Sequence, residues 1–124
     1  MTSKMAYDLC CRLVRQVIQD IYAITPQLVL ITEHNELGRT EDAAIAYLNS
    51  ASAKMTTAEA LYQAYEAEAL QGDRVAEGVF SCFRLFEAEL LKAYSGKLSY
   101  RQAFRCLDQL VMAYQESAFH PKDD

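Results

Sequence analysis

Between Ala44 and Ala69 the apolar residues fall at Ala44, Leu48, Ala51, Met55, Ala58, Tyr62, Tyr65 and Ala69, separated alternately by four and three positions. That alternation is the period of a helix with one face turned inward. The same stretch contains Thr56-Thr57-Ala58-Glu59, which reads as the start of a new helix. A helix beginning there would have no reason to inherit the phase of the one before it, yet the phase passes through unbroken. One helix from about 41 to 71 is therefore expected. Thr40 is its expected N-cap, Glu41 and Asp42 suit the positive end of its dipole, and Gly72 is its expected left-handed stop.

The first segment repeats the pattern with Cys10, Leu13, Val17, Ile21, Ile24, Leu28 and Ile31, and this stripe runs across Pro26. A proline inside a helix removes one backbone hydrogen bond at a cost of about 3 kcal/mol. Helix 1 is thus either kinked at Pro26 and continuous from about 4 to 37, or broken there with Thr25 capping a short second piece. The uninterrupted phase favours the kinked form, and Gly38 is expected to end it.

Further along, Asp73 suits the cap of a helix over 74–94 with Val79, Phe83, Phe86, Leu90 and Tyr94 on one side, closed by Gly96. Ser99-Tyr100-Arg101-Gln102 has the spacing of a capping box and opens a helix over 100–118. Its stripe is Ala103, Leu107, Leu110, Val111 and Tyr114. The expected fold is all-α, an up-and-down antiparallel four-helix bundle with a longer N-terminal hairpin, in one domain over 1–124 with a disordered tail at 119–124.

The unequal helix lengths predict an overhang. At 1.5 Å per residue the long hairpin exceeds the short one by about 15 Å, and the end near Gly38 is expected to remain uncovered. Leu28, Leu30, Ile31, Ile45 and Leu48, with Val29 beside them, are the candidate interface for a protein partner or a homodimer.

Composition adds three restrictions. Eighteen alanines with four glycines and two prolines favour helix, and no apolar run approaches the length of a membrane span. The net charge of −5 is local: residues 26–72 hold seven acids against two bases, while the flanks are near balance. An acidic middle argues against nucleic acid, and the basic string Lys92, Lys97, Arg101 and Arg105 reads as a solvated face. Cys10, Cys82 and Cys106 fall on apolar faces with no metal-ligand spacing, so buried free thiols and a cytoplasmic protein are expected, with Cys11 the most accessible of the four.

Candidate chemistry is sparse. In "TEHNELGRTED", His34 followed by Gly38 resembles the histidine phosphotransfer domains, small helical bundles whose phospho-accepting His precedes a Lys and a Gly; Leu37 stands where that Lys would be. The same residues resemble the His-Glu-Leu-Arg-Thr run of sensor-kinase dimerisation hairpins, with Asn35 and Gly38 inserted. Glu116 and His120 have the i, i+4 spacing of a metal pair but sit at the chain end beside Pro121, and Tyr62, Tyr65, Tyr94 and Tyr114 fall in core stripes. No cofactor, metal or enzymatic activity is expected. The leading reading is a non-enzymatic interaction module: an adaptor, an export-type chaperone or a small regulator that sequesters a partner. Phosphotransfer through His34, or an apolar ligand held within the bundle, is the alternative.

Overall fold

A computed structural model describes residues 2–69 and 74–121. It contains four helices, α1 (Ser3–His34), α2 (Arg39–Ala69), α3 (Arg74–Tyr94) and α4 (Tyr100–Glu116), packed as an all-α four-helix bundle with no strand among the described residues. The helices pack in two hairpins. α1 and α2 lie close along their length, as do α3 and α4, while the hairpins meet each other more loosely.

Residue size explains the difference. α2 turns Ala44, Ala51 and Ala58 inward between the larger Leu48 and Met55, so α1 can approach it closely. The space between the hairpins is filled by Phe83, Phe86, Leu90, Leu107 and Leu110, all buried. The interior stripe of α2 follows the expected positions from Ala44 to Tyr62, and its axis continues through Thr56 and Thr57. Both threonine hydroxyls donate to the carbonyl four residues back, Thr56 to Ser52 and Thr57 to Ala53. They are exposed helix residues, not caps.

α1 is likewise continuous, with Pro26 inside it. Pro26 and Tyr22 are both exposed, so the interruption of the hydrogen-bond ladder lies on the solvent side of α1. Beyond the proline, Ile24, Leu28 and Ile31 are buried. Each such side chain contributes about 1.5–3 kcal/mol, enough together to offset the proline. α1 also buries Cys11, Val14 and Ile18 beside the expected stripe, because a bundle helix faces two neighbours.

The turn between α1 and α2 is built differently from the expected one. Asn35, not Gly38, ends α1: it adopts the left-handed conformation (φ 51°), and its N–H and that of Glu36 both donate to the Leu30 carbonyl. Gly38 instead begins α2. At φ 70° it occupies a region that favours glycine, its carbonyl accepts from Asp42 N–H, and its own N–H donates to Glu41 Oε1 at 2.9 Å. Thr40 is therefore inside the first turn and is not the N-cap. Two boundary signals, Gly38 and Thr40, lie two positions apart, and the helix begins after Gly38, whose N–H Glu41 reaches back to accept.

The other expected boundaries fare better. α3 spans the expected 74–94, and Gly96 (φ 83°) closes it in a Schellman arrangement, with Gly96 N–H bonded to Ala93 O and Lys97 N–H to Lys92 O. Ser99 caps α4 by accepting from Arg101 N–H at 3.2 Å. The proposed caps Asp73 and Gly72 lie outside the described residues. Tyr94 is 43% exposed, and Ala93 takes the buried position one residue earlier.

After α4 the chain does not leave the molecule at once. Ser117 is buried, its hydroxyl donates to Tyr114 O and accepts from Phe119 N–H, and Phe119 is only 1% exposed. Arg15 Nε fixes this return by donating to the Phe119 carbonyl at 2.9 Å. Of the expected tail, Phe119 and His120 are thus held against the bundle, Pro121 is exposed, and 122–124 lie outside the described residues.

Candidate functional site

The overhang near Gly38 is not bare. Leu28, Ile31 and Leu48 are 0%, 5% and 1% exposed, and Leu30 and Ile45 are half-buried. The expected five-residue patch therefore belongs mostly to the core of a single chain. The α3–α4 turn covers it: Tyr94 Oη donates to Asp42 at 2.7 Å and Tyr100 Oη donates to Glu41, so both tyrosines reach the first turn of α2. The short hairpin therefore reaches closer to this end than helix lengths alone predict. Since Arg15 meets Phe119 just beyond α4, the excess length of α1 lies at the opposite end, around Tyr7 and Cys10.

Charge at the Gly38 end holds these tyrosines protonated. Burial, then the bond to Glu41, raises the Tyr100 pKa, and the hydrogen bond to Asp42 raises that of Tyr94. The other end is aromatic. Tyr7 packs on Tyr65 with ring centroids 4.6 Å apart, and Tyr62, Phe80 and Phe119 stand mutually within 5.5–6.2 Å.

The loose seam between α2 and α3 opens at this aromatic end into a groove of about 590 Å³ lined by Glu59, Tyr62, Gln63, Glu66, Glu77, Phe80, Ser81 and Arg84. Tyr62 and Phe80, nearly buried, form its floor. Its walls are successive turns of two helices, with Glu59, Gln63 and Glu66 on one and Glu77, Ser81 and Arg84 on the other. Arg84 ties them together by contacting Glu59 at 3.3 Å, Glu87 at 3.2 Å and the Thr56 hydroxyl at 3.2 Å, with its guanidinium 5.5 Å from the Phe83 ring centre. Glu66 and Glu77 have no ion-pair partner among the described residues. The sequence reading placed Tyr62 in the core but missed the groove. The only signal for it was the acidic excess of residues 26–72, because the rotation of α3 against α2 is not written in either stripe.

A second groove, about 420 Å³, lies between α1 and α4 and is lined by Thr32, Glu33, Arg101, Phe104, Arg105 and Asp108. Two arginines and two carboxylates balance there, so it favours neither sign of charge.

The remaining candidates are quickly placed. His34 is exposed in the last turn of α1 and makes no hydrogen bond or ion pair among the described residues. His120 is half-buried, its ring edge-on to Tyr114 at 5.3 Å, away from any metal-binding cluster among the described residues. All four cysteines are free. Cys10, Cys11 and Cys106 are buried and Cys82 is half-buried, so Cys82 and not Cys11 is the most accessible. Cys11 is covered because it belongs to the second inward stripe of α1. Burial pushes the Cys10 thiol up to about 12 and raises those of Cys11 and Cys106, which keeps these sulfurs protonated and poorly nucleophilic. Among the described residues no helix is long and apolar enough to cross a membrane.

Comparison with family models, curated proteins and solved structures returned no match.

Proposed function

We propose that this protein is a non-enzymatic interaction module, an adaptor, chaperone or small regulator, that receives a protein partner in the groove between α2 and α3. The observation that carries this reading is the groove itself: an aromatic floor of Tyr62 and Phe80 between two polar helical walls, at a seam where the hairpins pack loosely. Such a combination of apolar base and polar rim is the anatomy of a recognition surface. The four free cysteines suit a reducing compartment, and we place the protein in the cytoplasm on that ground.

The alternatives draw less support. His34 is exposed in the last turn of α1 with no hydrogen bond or ion pair among the described residues to orient or activate it, and the space between the hairpins that an apolar ligand would need is occupied by Phe83, Phe86 and Leu110.

Site-specific photo-crosslinking in the native cell tests the reading. A crosslinker at Ser81 or Gln63, both exposed on the groove walls, should give one adduct of the same protein, competed by unlabelled protein. A crosslinker at Gln19, exposed on α1, should not give it. Equal adducts from all three positions, or none from the groove, would remove the groove as the binding surface.

A further inference from the structure

We infer that the occupant of the α2–α3 groove is a basic amphipathic helix of a partner protein. This rests on the groove being an interaction surface and names what it selects. Charge is the first argument. The lining carries three glutamates and one arginine, and that arginine is already committed to Glu59 and Glu87. Glu66 on α2 and Glu77 on α3 are left facing each other across the floor without ion-pair partners among the described residues. Of the acidic segment 26–72, Glu33, Glu36, Glu41 and Asp42 lie at the far Gly38 end, so the field at the groove is set by its own lining carboxylates. Nucleic acid and anionic membrane surfaces are repelled by the same field.

Shape is the second argument. Glu59 and Glu66, and Glu77 and Arg84, are each seven positions apart, about two helical turns, so both walls run alongside the floor for about 10 Å. A third helix laid between two such walls sets an apolar side chain from each turn on Tyr62 and Phe80. Its flanking lysines or arginines then reach Glu66 on one side and Glu77 on the other. The anchors recur at i, i+3 or i+4, as in other helix-in-groove recognition. A peptide in extended form places alternate side chains on opposite faces and satisfies the floor and both rims less well.

The probe is a synthetic Leu/Lys amphipathic peptide about four turns long, titrated into the full chain by calorimetry and mapped by amide chemical shifts. Binding should be salt-sensitive, with shifts centred on Tyr62, Gln63, Phe80 and Ser81. The double variant Glu66→Lys/Glu77→Lys should weaken it by about tenfold or more, roughly 1.4 kcal/mol. The variant Asp8→Lys/Glu116→Lys changes net charge equally at exposed sites elsewhere and should leave affinity within about twofold. Circular dichroism melts establish that both variants fold. Equal weakening by both pairs would reduce the effect to net charge and overturn the inference. So would a Leu/Glu peptide that binds as well, shifts confined to Arg101 and Phe104, or sedimentation showing a second copy of the chain in the groove. If crosslinks form at Ser81 to a partner segment that is not basic, the interaction reading stands and this inference fails.

Discussion

The two ends of the bundle are closed by opposite means. Near Gly38, the tyrosines 94 and 100 are half in water and hold the first turn of α2 by hydroxyl–carboxylate bonds. At the other end, Tyr62, Phe80 and Phe119 pack ring against ring beneath Tyr7 and Tyr65, and a backbone carbonyl is fixed by Arg15. The first closure is made of groups that water can satisfy equally well, so its net contribution is small. The second removes large apolar area from water and dominates. Grooves open toward both ends, but the one at the aromatic end has Tyr62 and Phe80 as its floor, because closing that end with rings leaves them where the helix walls diverge, whereas the one near Thr32 and Arg101 is lined by balanced charges.

The comparison can be broken most severely at Ile31. It sits under the tyrosine end yet is 5% exposed, so Ile31→Glu buries a carboxylate and should prevent folding, as read by circular dichroism. A folded variant that changed only its association state would return Ile31 to a subunit interface. Next, Phe119→Ala should cost about 3–5 kcal/mol in urea denaturation, the range for a deleted core ring. A loss under about 1 kcal/mol would mean that the return of the chain after α4 is dispensable.

Alkaline titration separates the ends. A thiol or phenol whose pKa is raised in the folded state stays protonated there while the unfolded chain ionises. Its stabilising contribution is therefore complete below the unfolded pKa and is lost as pH rises through the folded one. For Cys10 the window runs from 9.0 to about 12, and stability should fall by up to about 3 kcal/mol by pH 11. Tyr100 adds its loss above pH 10.0. In Cys10→Ala the decline above pH 9.0 should be shallower, its onset kept by the raised thiols of Cys11 and Cys106; an unchanged slope would rule out Cys10 as a source. Tyr100→Phe should cost about 1 kcal/mol at neutral pH, and a penalty as large as that of Phe119→Ala would erase the distinction between the ends. The smallest effect is expected midway. Thr57→Ala should be neutral or stabilising by a few tenths of a kcal/mol, and a loss above about 1 kcal/mol would give Thr57 a capping role.

Sequence alone determined what repeats along one helix. The alternating apolar positions of α2 held its axis through Thr56 and Thr57, carried α1 across Pro26, and set the inward faces of α3 and α4, since a helix buries one face wherever its neighbour lies. Local backbone chemistry was legible where one signal stood alone, as at Ser99 and Gly96, and misread where Gly38 and Thr40 competed. Tertiary structure decided what depends on two helices at once. It set the level at which Arg84 meets Glu59, the reach of Tyr94 and Tyr100 across the expected overhang, the return of Phe119, and the groove between α2 and α3. Periodicity fixes the face each helix buries but not its sliding or rotation against a neighbour. Those are settled by how side chains such as Phe83, Leu107 and the inward alanines fill a shared volume.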